Sequence, residues 1–276
     1  MSISLKRLYQ KVRFSIFPKH RGADRRGKPN GLTGDYAQWR DAVEASSGYD
    51  SNLILEKTRH AALKVKYSKA IFERDSVLFD EIHYSWPILS GLMWISGRDG
   101  ELNVLDFGGS LGSAYYQNRA FLETLPQVSW SIVEQAEFVA VGQAEFADET
   151  LRFYKTIADC LVENRPNLIL LGGVLQYLEH PFAILDELLN LPCDVILLDR
   201  TPFWDGERDW LAVQNVPPVV YDASYPSWIF AKTRFYDHLA QRGWDVMTSF
   251  ENEDMMPAPI KFKYEGLFAV RSGSLS

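Results

Sequence analysis

The sequence has few of the residues that build covalent or metal frameworks. Its 276 residues include two cysteines, Cys160 and Cys193, and five histidines that are scattered along the chain. Neither type recurs at the short spacings typical of zinc ligands, and two distant cysteines do not make a disulfide framework. The sequence therefore predicts no metal site and no disulfide scaffold, so a functional site must use other side chains.

Long apolar runs are also absent. The longest, such as Val195 to Leu198, are far shorter than the roughly 20 residues that cross a bilayer, and no charged-then-apolar segment ends in a small-residue cleavage site. We therefore expect a cytoplasmic protein. Hydrophobic residues still make up 46% of the chain and aromatic residues 13%, which is enough for a full core in one domain of ordinary size.

Positive charge is concentrated at the N-terminus. Nine of the 29 lysines and arginines, but one of the 36 acids, lie in residues 1–28. The acidic remainder disfavours nonspecific nucleic-acid binding, so we expect no nucleic-acid partner. Apolar residues interleave with the basic ones, a pattern that could lay a short helix on the inner membrane surface. A solvated tail or a helix packed on the domain explains the same pattern, and the oligomeric state is not indicated.

The composition divides the chain into three parts. We predict a basic arm and linker in residues 1–34, a helical lead-in in residues 35–100, and the main domain in residues 101–276. In the main domain short apolar runs alternate with amphipathic stretches. This alternation predicts an α/β fold of βαβ units around a mostly parallel sheet.

A glycine-rich turn follows the first predicted strand of the main domain. It reads Asp106-Phe107-Gly108-Gly109-Ser110-Leu111-Gly112 and leads into residues with helical spacing. Such a turn lets backbone N–H groups and the positive end of a helix dipole face a ligand closely. No lysine follows Gly112, which argues against a nucleoside triphosphate loop. Serines stand at the third and sixth positions from Gly108, so the turn fits a dinucleotide site poorly.

The same turn resembles that of S-adenosylmethionine-dependent methyltransferases. In these enzymes an acid ends the first strand and glycines follow at alternate positions; here Asp106, Gly108 and Gly112 match, and Ser110 replaces the middle glycine. Glu134 ends the second predicted strand, where a carboxylate can accept both ribose hydroxyls. An exposed acid at a strand end is the alternative. We assign Gly109 and Gln135, which flank these residues, to the same cofactor site.

The resemblance extends over most of the chain. Residues 166–181 resemble the fourth-strand block of these enzymes, in which Gly172 and Gly173 would leave room for the cofactor and Val174 follows. From about residue 32 to 271 the chain resembles a little-characterised family of methyltransferases often found beside bacterial surface-polysaccharide genes. The motifs that carry this resemblance are Trp39 through Ser47-Gly48-Tyr49, Ile54 to Lys57, Glu73 to Asp80, Tyr84 to Pro87, Leu105 to Gly112, Val133 to Gln135, Val174 to Glu179 and Asp199 to Phe203.

Membership of this family implies a Rossmann-like class I methyltransferase fold. Its sheet has seven strands and is mostly parallel, with one antiparallel strand, here Tyr264 to Arg271, paired with Trp244 to Phe250. The resemblance implies S-adenosylmethionine as the cofactor. It does not imply a known substrate, so the partner is a small-molecule or glycan acceptor.

Two residues are candidate bases for methyl transfer. The reaction is an in-line displacement, in which the protein aligns the reactants and deprotonates a hydroxyl acceptor. Asp199 ends the fifth predicted strand and His180 ends the fourth-strand block. As alternatives, Asp199 pairs with its neighbour Arg200 for local structure, and His180 is a loop residue or a helix cap.

A long aromatic connection after the fifth strand is the candidate acceptor site, and the next helix is expected near Phe230. Aromatic faces stack on sugars, and Tyr221, Asp222 and Tyr225 could bond hydroxyl groups. Aromatic packing at the sheet edge would explain the same composition. We expect further charged and aromatic residues to face this cleft from the lead-in helices: Glu73, Arg74, Asp75, Asp80, His83 and Tyr84.

Three functions stay open from the sequence. The first is S-adenosylmethionine-dependent methyl transfer to an oxygen or nitrogen of a sugar in a surface-glycan precursor. The second is a methyltransferase fold that binds without turnover, which Ser110 suggests. The third is a nucleotide-sugar-modifying enzyme with a dinucleotide cofactor.

Overall fold

The computed structural model describes residues 30–47, 51–216 and 223–274. Two sheets and eight helices make up this part of the chain, and a single 3₁₀ turn, Leu175–Tyr177, follows β7. In chain order the elements are β1 Gly31–Tyr36, α1 Trp39–Ala45, α2 Ser51–Lys66, β2 Phe72–Arg74, β3 Val77–Phe79, α3 Trp86–Asp99, β4 Leu102–Phe107, α4 Ser113–Leu122, β5 Val128–Val133, α5 Ala136–Glu145, β6 Leu151–Tyr154, α6 Ile157–Glu163, β7 Leu168–Gly172, α7 Pro181–Leu189, β8 Val195–Trp204, β9 Trp210–Asn215, β10 Ser224–Ala231, α8 Lys232–Gln241, β11 Trp244–Glu251 and β12 Lys263–Arg271.

Seven strands form the sheet that the sequence of the main domain predicts. Their spatial order is β6, β5, β4, β7, β8, β12, β11, and the five strands from β6 to β8 pair in parallel. β12 is antiparallel to both of its neighbours, β8 and β11, with Trp244 opposite Arg271. The predicted α/β class, the mostly parallel sheet and the antiparallel strand are confirmed.

The core strands are apolar because both faces of the sheet are covered. All four residues from Val195 to Leu198 are 0% exposed. Successive side chains of a strand point to opposite faces, so Leu197 joins a cluster with α2, α3, α4 and α5, while Leu198 joins one with α6, α7 and α8. This two-sided burial removes the apolar–polar alternation of a half-exposed strand and leaves a continuous apolar run.

Three further strands extend the sheet at one edge. The aromatic connection after β8 contains β9 and β10, which pair antiparallel, and β1 adds to the free edge of β9. β10 joins the last residues of β8 in parallel, at Phe203 and Trp204. β1 occupies part of the predicted 1–34 linker, and the helix expected near Phe230 begins at Lys232. The sequence prediction missed β9 and β10 because it rests on the aromatic content of this connection and not on an alternation of apolar and polar residues.

The lead-in is less helical than predicted. Its charged segment forms a β-hairpin, β2–β3, in which Glu73 lies opposite Leu78 and Arg74 opposite Val77. Asp75 and Ser76 make the two-residue turn, and both have positive φ angles, 52° and 68°. Two-residue hairpin turns favour this left-handed backbone, which a search for helical spacing does not detect.

The last predictions concern membranes. Within residues 30–47, 51–216 and 223–274, no helix combines the length and apolar character needed to cross a bilayer. The basic arm, residues 1–28, lies outside the described residues. Its contact with a membrane surface stays a prediction.

Candidate functional site

The predicted cofactor residues meet at the carboxyl ends of β4, β5, β7 and β8. In open α/β sheets ligands lie beyond these strand ends. The turn after β4 contacts the end of β5, because the Gly108 N–H donates to the Val133 carbonyl at 2.9 Å. The end of β7 contacts β8, because the Gly173 N–H donates to the Asp199 carbonyl at 2.9 Å.

The glycine turn is shaped by the protein's own packing. A Cβ on Gly108 would overlap the Val174 side chain, and one on Gly109 would overlap the Asp106 carboxyl group. Gly108 and Gly112 also have φ angles of +73° and +96°, which favour glycine. Close contacts within the protein therefore explain why glycine is needed at positions 108 and 109, without any ligand.

Ser110 has a left-handed backbone conformation. Its φ is +55°, in the left-handed region that few residues other than glycine adopt. The Ser110 N–H donates to Oε1 of Glu134 at 3.2 Å. The serine thus leaves the turn in its glycine-like shape and joins it to the acid after β5.

Asp106 lies beneath the turn, where it is 1% exposed. Its Oδ2 accepts a hydrogen bond from Nε1 of Trp130 at 3.0 Å. Burial raises the pKa of Asp106 to about 7, the Trp130 bond opposes this rise, and the charge of Glu134 adds to it. The geometry makes Asp106 a support for the turn from below.

Glu134 presents its carboxyl group at the end of β5. Oε2 accepts a hydrogen bond from the Gln135 N–H at 2.7 Å, and Oε1 accepts the bond from Ser110. Burial raises the pKa of Glu134, and these two backbone bonds oppose the rise. Each carboxylate oxygen can accept a second bond, so the group is oriented and can still bind a ligand donor. Gln135 itself is exposed and directly precedes α5.

The end of β7 offers space beside the turn. A Cβ on Gly172 would meet no heavy atom within 4 Å, whereas one on Gly173 would lie 3.2 Å from Nη2 of Arg200. In the 3₁₀ turn that follows, Gln176 donates from Nε2 to the Arg200 carbonyl at 3.3 Å, and its buried Oε1 has no hydrogen-bond partner in the described part of the chain. The open position at Gly172 is where a ligand could approach the strand end.

Asp199 and Arg200 form a polar group at the end of the buried run of β8. Oδ1 of Asp199 accepts bonds from the Arg200 N–H at 3.1 Å and from Nδ2 of Asn252 at 2.9 Å. Burial raises the pKa of Asp199, which the charge of Arg200 opposes. Arg200 has a φ of +49° and donates from Nη1 to Oδ2 of Asp75 at 2.9 Å. Its pKa is raised by the acids around it, Asp75, Asp254 and Asp199, although burial itself lowers it.

His180 is exposed and directly precedes α7. Its carbonyl oxygen accepts bonds from the N–H groups of Ala183 at 3.1 Å and Ile184 at 3.4 Å, and its side chain caps no backbone group. His180 therefore stands at the N-cap position of α7 without capping the helix through its side chain. Its catalytic role stays a prediction.

The predicted acceptor residues separate into three groups. Tyr225 lies on β10, where its hydroxyl accepts a bond from Gln214 at 3.3 Å and its ring contacts that of Tyr177 at 5.3 Å. Arg74 lies on the hairpin and donates to Asp254 at 3.0 Å. Tyr84 contacts aromatic rings at 5.1 Å and 5.3 Å, those of Trp86 and Phe121. Tyr221 and Asp222 lie outside the described residues.

Tyr264 is a buried tyrosine on β12, and its hydroxyl lies 3.9 Å from Sδ of Met256. Burial raises the pKa of Tyr264 well above its ordinary value, and the charges of Tyr177 and Asp254 add to this rise. Tyr177 also donates to Gln214 at 3.1 Å. Gln214, Tyr177 and Tyr225, which these hydrogen bonds join near the end of β7, are called here the polar wall.

Sequence reasoning missed several of these residues. Asn252 and Asp254 lie in a polar stretch after β11, and Gln214 lies on a strand that was not predicted. The pairing of β11 with β12 brings the first two to Asp199 and Arg74, and local spacing carries no signal for that approach. Within the described residues, no cluster of three or more histidine, cysteine, aspartate or glutamate side chains could hold a metal ion.

Comparison with known proteins finds similarity in structure alone. No protein-family model and no curated protein matches the chain. The N-terminal domain of EvdMO1, crystallised with S-adenosylhomocysteine and D-fucose, is 16% identical, with a TM-score of 0.46 over 81% of this chain and 97% of that one. The Burkholderia thailandensis 1,6-didemethyltoxoflavin-N1-methyltransferase is 13% identical, with a TM-score of 0.44 over 88% and 94%. The glycopeptide N-methyltransferase MtfA, complexed with sinefungin, is 12% identical, with a TM-score of 0.44 over 67% and 87%.

Such distant similarity concerns the fold and not the activity. The strand order itself defines an α/β fold with a mostly parallel central sheet. The function must therefore be argued from the residues at the strand ends.

Proposed function

We propose that the protein transfers a methyl group from S-adenosylmethionine to a hydroxyl or amine of a sugar in a surface-glycan precursor. The observation that supports S-adenosylmethionine as the cofactor is the carboxyl group of Glu134, which two backbone N–H groups orient beside the glycine turn. A carboxylate at the end of the second strand of such a sheet suits a pair of ribose hydroxyls. The sugar acceptor follows from the family resemblance and from the polar wall.

The residues at the strand ends fit this cofactor chemically. Glu134 would bind the ribose hydroxyls, the backbone from Gly108 to Gly112 would line the ligand, and the space at Gly172 would admit it past Val174. When bound, S-adenosylmethionine supplies an electrophilic methyl group on a sulfonium. The protein's part is to orient the acceptor and to exclude water.

Asp199 is the proposed proton acceptor of the transfer. It lies one residue past the buried run of β8, and Asn252 and the Arg200 N–H share one of its oxygens, Oδ1. Burial raises its pKa toward the range in which an acid can take a proton from a hydroxyl group. Tyr225 and Arg74 are proposed to contact the acceptor, as are Tyr84, Tyr221 and Asp222; His180 is the second candidate base.

Two structural observations favour this function over the alternatives. Ser110 keeps a left-handed φ of +55°, so its presence does not deform the turn, which weakens the case for a fold that binds without turnover. β12 runs antiparallel between β8 and β11, whereas dinucleotide-binding sheets continue in parallel at that edge. The dinucleotide alternative therefore fits less well.

Calorimetry with S-adenosylmethionine, S-adenosylhomocysteine and NAD tests the cofactor. We expect the first two to bind and NAD not to bind; binding of NAD alone would overturn the proposal. Turnover is then tested by transfer of a labelled methyl group into a cell-envelope extract.

The role of Asp199 has its own test in the same assay. Asp199→Asn should lower label transfer by about 10²- to 10⁴-fold, the usual contribution of a general base, while S-adenosylhomocysteine affinity stays the same. Transfer at the wild-type rate would assign proton removal to another residue. The control is the same substitution at an exposed aspartate of β11, Asp245→Asn, which should leave label transfer unchanged.

A further inference from the structure

The β2–β3 hairpin crosses the carboxyl edge of the sheet and is fixed at four successive residues. Each residue bonds a different element: Glu73 the Ser113 hydroxyl of α4, Arg74 the Asp254 carboxyl after β11, Asp75 the Arg200 guanidinium of β8, and Ser76 the Thr58 hydroxyl of α2. The hydrogen bonds are 3.0 Å long between Arg74 and Asp254, 2.9 Å between Asp75 and Arg200, and 2.8 Å between Ser76 and Thr58. The hairpin therefore holds its side chains at defined places between α4 and β8.

Glu73 is the buried member of this set, at 2% exposed. Its Oε1 accepts a hydrogen bond from Oγ of Ser113, the first residue of α4 and the neighbour of Gly112 in the glycine turn. Its Oε2 is buried and has no hydrogen-bond partner in the described part of the chain. A buried carboxyl oxygen without a donor is costly, and this cost disappears when a ligand donor reaches it.

Burial and neighbouring charges also mark this carboxyl group. The pKa of Glu73 is raised to about 7, chiefly by burial; the Ser113 bond opposes this rise, the charge of Asp75 adds to it, and the Ser76 backbone and the charge of Arg200 oppose it. The cations on this edge already have acidic partners, since Arg200 bonds Asp75 and Arg74 bonds Asp254. Neither guanidinium bonds Oε2 in the described part of the chain, which leaves this oxygen available to a ligand donor.

Two carboxyl groups thus contact the two ends of the glycine turn. Glu134 accepts a bond from the N–H of Ser110, and Glu73 accepts one from the hydroxyl of Ser113. S-adenosylmethionine likewise carries donors at two places, the ribose hydroxyls and the ammonium of its methionine part. We propose that Oε2 of Glu73 binds this ammonium group. The inference rests on the proposed function, in which Glu134 binds the ribose.

The test compares two ligands that differ in the methionine part. S-adenosylhomocysteine contains the ammonium, whereas 5′-methylthioadenosine contains the adenosine but no amino-acid portion. In calorimetry, Glu73→Gln should weaken S-adenosylhomocysteine binding by about 10- to 100-fold, the worth of one charged hydrogen bond, and change 5′-methylthioadenosine binding by less than about twofold. The exposed Glu137→Gln on α5 is the control and should change neither affinity.

Several results would overturn the inference. Equal losses for both ligands would place Glu73 at the adenosine or make its role structural, and unchanged S-adenosylhomocysteine affinity would remove it from the cofactor site. Loss of methyl transfer with unchanged affinity would assign Glu73 to the acceptor. If wild-type protein binds none of S-adenosylmethionine, S-adenosylhomocysteine and 5′-methylthioadenosine, the proposed function itself fails, and this inference fails with it.

A second measurement covers the case in which Glu73→Gln does not fold. Protonation of the carboxyl group removes its charge, so the preference of the wild-type protein for S-adenosylhomocysteine over 5′-methylthioadenosine should fall as the pH decreases from 8 to 6. Any titration of Glu134 affects both ligands and cancels in the ratio of affinities. A ratio that does not change with pH would overturn the inference.

Discussion

The interior of the central sheet and its carboxyl edge differ sharply over two adjacent residues. Val195 to Leu198 are completely buried and apolar, whereas Asp199 and Arg200 are partly exposed, and Arg200 has a left-handed backbone. The interior excludes water from both faces, and the edge holds acids and arginines in paired contacts. The same strand therefore contributes stability in one half and chemical groups in the other, and changes in the two halves should have different consequences.

The largest expected effect is on stability, from a change in the interior. Leu197 packs against α3 so closely that a Cβ added to Gly91 would lie 2.8 Å from its Cδ1. Leu197→Ala should lower the free energy of unfolding by about 2–5 kcal/mol, through lost burial and the cavity left behind. Denaturant titration measures this loss. Val162→Ala, at a side chain that is 85% exposed, is the control and should change it by less than about 0.5 kcal/mol.

At the edge, the largest expected effect is on binding. Glu134→Ala should weaken S-adenosylhomocysteine binding by about 3 kcal/mol, roughly 100-fold, because two charged hydrogen bonds to the ribose are lost. Stability should change less, because the Ser110 and Gln135 N–H groups that lose their acceptor lie at the surface of the turn, where water can replace it. Calorimetry and denaturant titration on one preparation separate the two effects. An unchanged affinity would exclude Glu134 from the cofactor site.

A substitution in the glycine turn should lower the stability of the protein. In Gly108→Ala the new methyl group would meet Val174, and the φ of +73° would strain the backbone, so stability should fall by about 1–3 kcal/mol. Adding Val174→Ala should restore part of the loss if the contact dominates. No recovery would assign the whole loss to the backbone. Gly97→Ala, in helix α3 with no atom near the added Cβ, should instead stabilise by about 0.5–1 kcal/mol.

Counted per pH unit, the smallest expected effect is the pH dependence of stability that Asp106 contributes. Its pKa is about 7 in the folded protein and about 4 in an unfolded chain, so the folded state binds its proton more tightly. The free energy of unfolding should therefore fall as the pH rises from about 4 to 7, by at most about 1.4 kcal/mol per pH unit for one proton. Asp106→Asn, which can still accept the Trp130 bond, should make this slope less negative. An identical slope would contradict the raised pKa.

The local elements of the main domain could be predicted because their signals are local. The apolar run at Leu168 to Leu171, the acid at 106 and the acid at 134 each show where a buried strand ends. The helical prediction for Glu73 to Asp75 was wrong because a short hairpin with a two-residue turn leaves no periodic pattern. β1 and β9 were missed for a related reason, since each becomes recognisable through its partner strand.

The sequence by itself determined the α/β class, the order of the core strands along the chain, and the acids and glycines that follow them. Only the tertiary structure decided that Glu73 meets Ser113, that Asn252 meets Asp199, and that Ser110 keeps a left-handed backbone against Glu134. Patterns along a chain report burial and local conformation. The approach of side chains that lie 40 or 53 residues apart depends on how the strands pair and the hairpin packs.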